Sequence, residues 1–124
     1  MKIWSFNAIY ETKMKIKQPK ESEIQKMILD YMRLRGIFCW KNNSVGIFKQ
    51  STGRYIKVGI RGISDIIGIT PQGRLIAVEV KRPGNHPTHE QKSFLEQIKA
   101  KNGIGLCVHS LEELERSIKE KEIR

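Results

Sequence analysis

The sequence predicts a mixed α/β domain, a β-sheet with helices packed on it. Three observations lead there. Two stretches repeat apolar residues at helical spacing and end at a glycine. Short runs rich in Val and Ile, bounded by Gly and Pro turns, lie between and after them. The length, 124 residues, suits one domain that buries its own core.

Residues 1–19 are basic, carry no clear period and close at Pro19, so they read as an N-terminal arm ahead of a domain at 20–121. From Glu21 to about Arg35 the pattern is helical, with Ile24, Met27, Ile28, Tyr31 and Leu34 as the apolar stripe and Gly36 as the C-terminal cap. Residues 37–40 read as a short strand. Residues 44–50 and 54–60 flank Ser51-Thr52-Gly53 as a hairpin. After Arg61-Gly62, residues 64–70 and 74–81 read as two strands joined antiparallel by the Pro71-Gln72-Gly73 turn. Thr88 to Gln91 matches a capping box and opens a helix to about Asn102, with Phe94, Leu95 and Ile98 buried and Gly103 as the stop. Residues 104–108 form a buried strand. Ser110 to Glu113 is a second capping box, opening a last helix to about Lys121. No internal repeat or low-complexity stretch interrupts this order.

The net charge is +10 and is unevenly spread: residues 1–62 hold 13 basic and 4 acidic side chains, residues 63–124 hold 10 and 9. No acid occurs between Asp30 and Asp65. Lys41, Lys49, Arg54, Lys57 and Arg61 lie in that gap, with Trp40, Phe48 and Tyr55 among them. Such a surface suits a polyanion such as nucleic acid, and would equally serve as a solvated basic face. Cys39 and Cys107 show neither CxxC nor zinc spacing and read as buried free thiols. The absence of a signal-peptide pattern or a long apolar run gives the expectation of a cytoplasmic protein with no membrane partner.

Strand alternation separates Ile76, Val78 and Val80 from Leu75, Ala77, Glu79 and Lys81. A tight turn at 71–73 brings the start of one strand beside the end of the next, so Asp65, Glu79 and Lys81 converge. Two carboxylates and a lysine among apolar residues are costly unless they pair or bind something. Their oxygens suit Mg²⁺, with the Val80 carbonyl as a further ligand, and Lys81 would orient or deprotonate a water. A structural salt bridge is the other reading of the triple. His86 and His89 have no third ligand at suitable spacing and read as loop residues. Arg82, beside the site, would touch phosphate.

The wider string is Glu21-Ser-Glu-Ile-Gln25, Trp40-Lys-Asn-Asn-Ser44, Gly62-Ile-Ser-Asp65, thirteen residues, then Glu79-Val-Lys81 and, after a loop, Gln91. It resembles the PD-(D/E)xK nuclease superfamily, and within it a stand-alone VRR-NUC domain, over roughly residues 20–118. Ser64 replaces the Pro of the superfamily's name. The resemblance implies a restriction-endonuclease-like mixed sheet flanked by helices in αβββαβα order. It also implies an Mg²⁺- or Mn²⁺-dependent nuclease that leaves a 5′-phosphate and a 3′-hydroxyl. Asp65 and Glu79 would be metal ligands with the Val80 carbonyl assisting, and Lys81, Glu21 and Gln91 catalytic. Glu21 is chosen over Glu23 because it lies nearer the mean apolar direction of its helix. Gln91 would also cap its own helix. Lys41, Lys49, Arg54, Lys57, Arg61 and Arg82 would track phosphates of DNA, branched DNA included, and a homodimer would serve a junction. The alternative is a non-catalytic nucleic-acid-binding module that keeps the fold.

Overall fold

The computed structural model describes residues 19–42, 46–57 and 59–121. The expected arm, apart from Pro19, therefore lies outside the described residues, as do the side chains of Phe48, Tyr55 and Lys57.

Helix α1 spans Glu21–Leu34 and ends where Gly36 takes φ 78°, a left-handed conformation open to glycine. Strand β1 (Phe38–Lys41) follows directly. Strands β2 (Gly46–Lys49) and β3 (Arg54–Lys57) pair antiparallel as a sheet of their own. Strands β4 (Ile66–Ile69) and β5 (Leu75–Val80) form the second hairpin. Helix α2 (His89–Ala100) then crosses over to β6 (Ile104–Val108), which pairs parallel to β5. Helix α3 (Leu111–Glu120) closes the fold. The main sheet runs β1-β4-β5-β6. With the β2–β3 hairpin set aside, the order is αβββαβα, as the resemblance implies, and the fold is consistent with the restriction-endonuclease-like class.

Alternation along β5 divides the core as the sequence predicts. Ile76, Val78 and Val80 pack with Ile66, Leu106 and Val108 beneath Ile24, Ile28 and Met32 of α1 and Leu114 and Ile118 of α3. Ile67 and Ala77 face the other way, against Phe94 and Leu95 of α2.

Three local expectations are corrected. Helix α1 buries Ile24, Gln25, Ile28 and Met32, whereas Met27 is 43% exposed and Leu34 is 87% exposed. The apolar average placed the buried face one step round, because it counted every apolar residue as inside. Helix α2 is stopped by Asn102, which takes φ 65°; Gly103 is small because a Cβ there would lie 2.6 Å from Ile98 Cγ2. The second capping box is half formed. Ser110 Oγ accepts from the Glu113 N–H at 3.2 Å, but the Glu113 carboxylate accepts from the His109 N–H at 2.8 Å instead of reaching Ser110. The His109 ring lies against the same oxygen at 3.1 Å, which holds it there.

Candidate active site

The register sets the centre of the site. Ile66 pairs with Val78 and Ile69 with Leu75, so one step before β4 Asp65 stands opposite Glu79. On the other side, the Asn42 N–H donates to the Asp65 carbonyl at 2.7 Å, extending the β1–β4 pairing by a residue. Asn42, Asp65 and Glu79 thus form one row across three strands. Cys107 pairs with Glu79 from β6, and its half-buried thiol is pushed up chiefly by burial and then by the Glu79 charge.

Each acid is held by a specific group. Asp65 Oδ2 accepts from the Val80 N–H at 2.8 Å, which fixes that carboxylate against the strand end. Glu79 is 2% exposed. Its Oε1 accepts from Gln91 Nε2 at 3.0 Å and lies 3.8 Å from Lys81 Nζ. Its Oε2 is buried with no partner among the described residues. The Lys81 N–H donates to the Val108 carbonyl at 3.0 Å, so its backbone continues the β5–β6 edge while its half-buried side chain turns back towards Glu79.

Burial pushes the Glu79 carboxyl up to about 8, and the charge of the neighbouring Asp65 pushes the same way. Lys81 opposes this without reversing it, as a separation of 3.8 Å makes a long ion pair. Glu21 adds to the rise, so its charge acts on this centre; Glu21 is half-buried, whereas Glu23 is exposed.

Gln91 serves two groups at once. Its Oε1 accepts from the Thr88 N–H at 2.8 Å, and its own N–H donates to Thr88 Oγ1 at 3.2 Å, completing the capping box. The amide nitrogen remains for Glu79. Capping and site contact are therefore two halves of one amide. Gly62 allows this approach. It takes φ 74°, and a Cβ on it would sit 2.3 Å from the backbone carbonyl of Glu90 and 2.7 Å from the Gln91 nitrogen.

The structure brings Asp65, Glu79, Val80, Lys81 and Gln91 together, with Glu21 in electrostatic range. Lys41, Lys49, Arg54, Arg61 and Arg82 are exposed, and Arg61 lies 3.8 Å from Glu90. His86 and His89 are exposed, as expected of loop residues. Two further polar groups are buried: Gln25, which the sequence left open between the pocket and solvent, and Ser64, for which it assigned no role. Gln25 and Ser64 each hold a side-chain oxygen without a partner among the described residues. For Gln25 the available signal was its place four residues after Glu21 on one helix face. For Ser64 it was the apolar run that starts beside it.

An unpartnered, buried carboxylate oxygen beside a second carboxylate suits a hard divalent cation that keeps part of its shell as water. Among the described residues no three His, Cys, Asp or Glu side chains group to cage a metal, so such an ion would rest on two carboxylates, backbone oxygen and water. Among the described residues no helix is long and apolar enough to cross a membrane. Comparison with curated proteins and with solved structures gave no match. The family model of the VRR-NUC domain matches residues 19–110, which span every element named above except α3. The chain belongs to the VRR-NUC family of the PD-(D/E)xK nuclease superfamily, which points to a nuclease-type function on nucleic acid, in a superfamily that typically uses divalent metal ions.

Proposed function

We propose that this protein is an Mg²⁺- or Mn²⁺-dependent endonuclease that hydrolyses DNA phosphodiester bonds, with a preference for branched DNA such as flaps or junctions. The observation that supports it most is the Asp65–Glu79 pair, one oxygen of which is buried without a donor. That arrangement disfavours the charged form of Glu79 unless a cation is near.

Asp65, Glu79 and the Val80 carbonyl are the groups that would hold the ion. When bound, it would neutralise the charge that builds on the phosphate and acidify nearby water. Lys81, partly shielded from solvent, lies 3.8 Å from Glu79 Oε1 and would orient the attacking water. Gln91 fixes the Glu79 carboxylate by donating to the same oxygen, and so sets which oxygen stays open. Glu21 supplies a further negative charge at the helix start. Lys41, Lys49, Arg54, Lys57, Arg61 and Arg82 would contact phosphates, which supports affinity without base readout. A homodimer would present two such sites, related by a two-fold axis, to the arms of a junction.

The test is cleavage of single strands, duplexes, flaps, forks and four-way junctions with Mg²⁺ or Mn²⁺, by wild type and Asp65→Asn. Cleavage should disappear in the variant while DNA binding persists. Cleavage that survives in Asp65→Asn refutes the site. Binding without cleavage in the wild type leaves a nucleic-acid-binding module.

A further inference from the structure

Phe38 is 71% exposed, Trp40 40%, Ile69 41% and Leu75 37%. These are not scattered. Phe38 pairs with Ile69, which pairs with Leu75, and Trp40 pairs with Ile67, whose side chain packs on the α2 side of the sheet. Paired residues in adjacent strands share a face. Phe38 and Trp40 therefore lie on the face that carries Asp65 and Glu79, whereas Cys39 between them is buried on the other. Helix α2 packs on β5 and β6 and covers Ile67 of β4, while Phe38, Trp40, Ile69 and Leu75 stay exposed on this face.

The rows follow in order. Asn42, Asp65 and Glu79 form the first, Trp40, Ile67 and Ala77 the second, Phe38, Ile69 and Leu75 the third. Two residues of strand advance about 7 Å. Trp40 thus begins one nucleotide's reach from the carboxylates, and Phe38 lies a further step away. The two rings are 5.5 Å apart and tilted by 57°. Their supporting strand is an edge carrying cations. Arg33 donates to the Cys39 carbonyl at 3.3 Å, and Lys41 is exposed.

We propose that Phe38 and Trp40 form a stacking platform for unpaired bases of the strand whose phosphate lies at Asp65 and Glu79. The inference rests on the nuclease reading above and narrows its substrate to nucleic acid that is single-stranded beside the cut. Stacked duplex bases offer no free face, whereas an unpaired base offers its π-surface whatever its sequence. Charge selects this occupant over a second copy of the chain. No acid interrupts residues 31–64, so a second copy would set like charges against each other at this patch, where a polyanion is attracted.

The experiment is equilibrium binding in EDTA by fluorescence anisotropy, comparing a short oligo-dT with a blunt duplex. Phe38→Ala and Trp40→Ala should each weaken oligo-dT binding by about 5-fold to 100-fold, the size of one base–aromatic stack, and change duplex binding by less than about 2-fold. Trp40→Phe should restore most of the affinity, which separates stacking from misfolding. Abasic sites in the oligonucleotide should weaken the wild type and remove its advantage over Trp40→Ala. Equal loss on duplex and single strand, no loss on either, or a sedimentation change showing that the platform holds two chains together overturns the proposal. Because binding is read without cleavage, a failure of the platform and a failure of the Asp65 nuclease test remain separate results.

Discussion

On one face of the main sheet, Ile66, Ile76, Val78, Val80 and Val108 are sealed beneath α1 and α3. On the other, α2 covers Ile67, Ala77 and the β6 side and leaves Phe38, Trp40, Ile69 and Leu75 in reach of solvent. The buried carboxylate sits on the second face. The first face gains its stability from apolar area removed from water. The second gives some of that up to hold Glu79 and an open aromatic row, features that cost a fold stability and are kept where something binds. The contrast means that substitutions on the two faces should separate into losses of folding and losses of chemistry.

The sharpest break is Ile28→Ala on the sealed face, which leaves a cavity where the side chain is 0% exposed. It should cost about 2–5 kcal/mol by urea titration. The matching change on the open face, Phe38→Ala, should stay within about 0.5 kcal/mol by the same measurement. Equal losses would mean that the open row is covered in solution.

Next in size is the metal-free stability attached to Glu79. In the folded state its carboxyl holds its proton up to about 8, against 4.5 ordinarily. The folded protein therefore binds more protons between those values. This contribution is fully present below about 4.5 and is lost as pH rises through about 8, by an amount on the order of a few kcal/mol. Melting in EDTA should show Tm falling across that range for the wild type and much less for Glu79→Gln. Adding Mn²⁺ at pH 8 should raise the wild-type Tm and leave Glu79→Gln nearly unchanged.

Gly62→Ala should cost roughly 1–3 kcal/mol from its left-handed backbone, and more if the Glu90–Gln91 backbone cannot shift. Its informative readout is cleavage. If the loop's close approach sets the Gln91 amide, kcat should fall while affinity for duplex DNA holds. The smallest effect is Gln91→Glu. It keeps an acceptor for the Thr88 N–H but removes the donor to Glu79. Stability should drop by about 1 kcal/mol by urea titration, the size of one lost hydrogen bond.

Much of the site was legible because it is local. The Asp65–Glu79 row follows from alternation and one tight turn, and Thr88 and Gln91 from a capping pattern within four residues. The helix order was legible for the same reason. What could not be read depends on packing between distant elements. Gln25 is buried because α1 lies on the sheet along a line that its own apolar residues do not define. The β2–β3 hairpin stands as a sheet apart, and hairpin patterning does not say which sheet a strand joins. Glu113 turns to His109 because that ring, held at 3.0 Å by the Asn85 carbonyl, comes from tertiary placement of the loop after β5.

The parallel pairing of β5 and β6 has a kinetic consequence. The β4–β5 hairpin closes over a short turn, and such closure takes microseconds. It sets two acids side by side early in folding, in water, where their repulsion is slight. The donor amide lies on the crossover helix, and β6 has to pair with β5 across that helix, a non-local contact of the kind that closes more slowly. The acids are thus assembled first and desolvated last. A chain stalled between those steps would hold a water-exposed carboxylate pair able to bind a divalent ion before the fold is complete. Millimolar Mg²⁺ present during refolding should then speed the final phase.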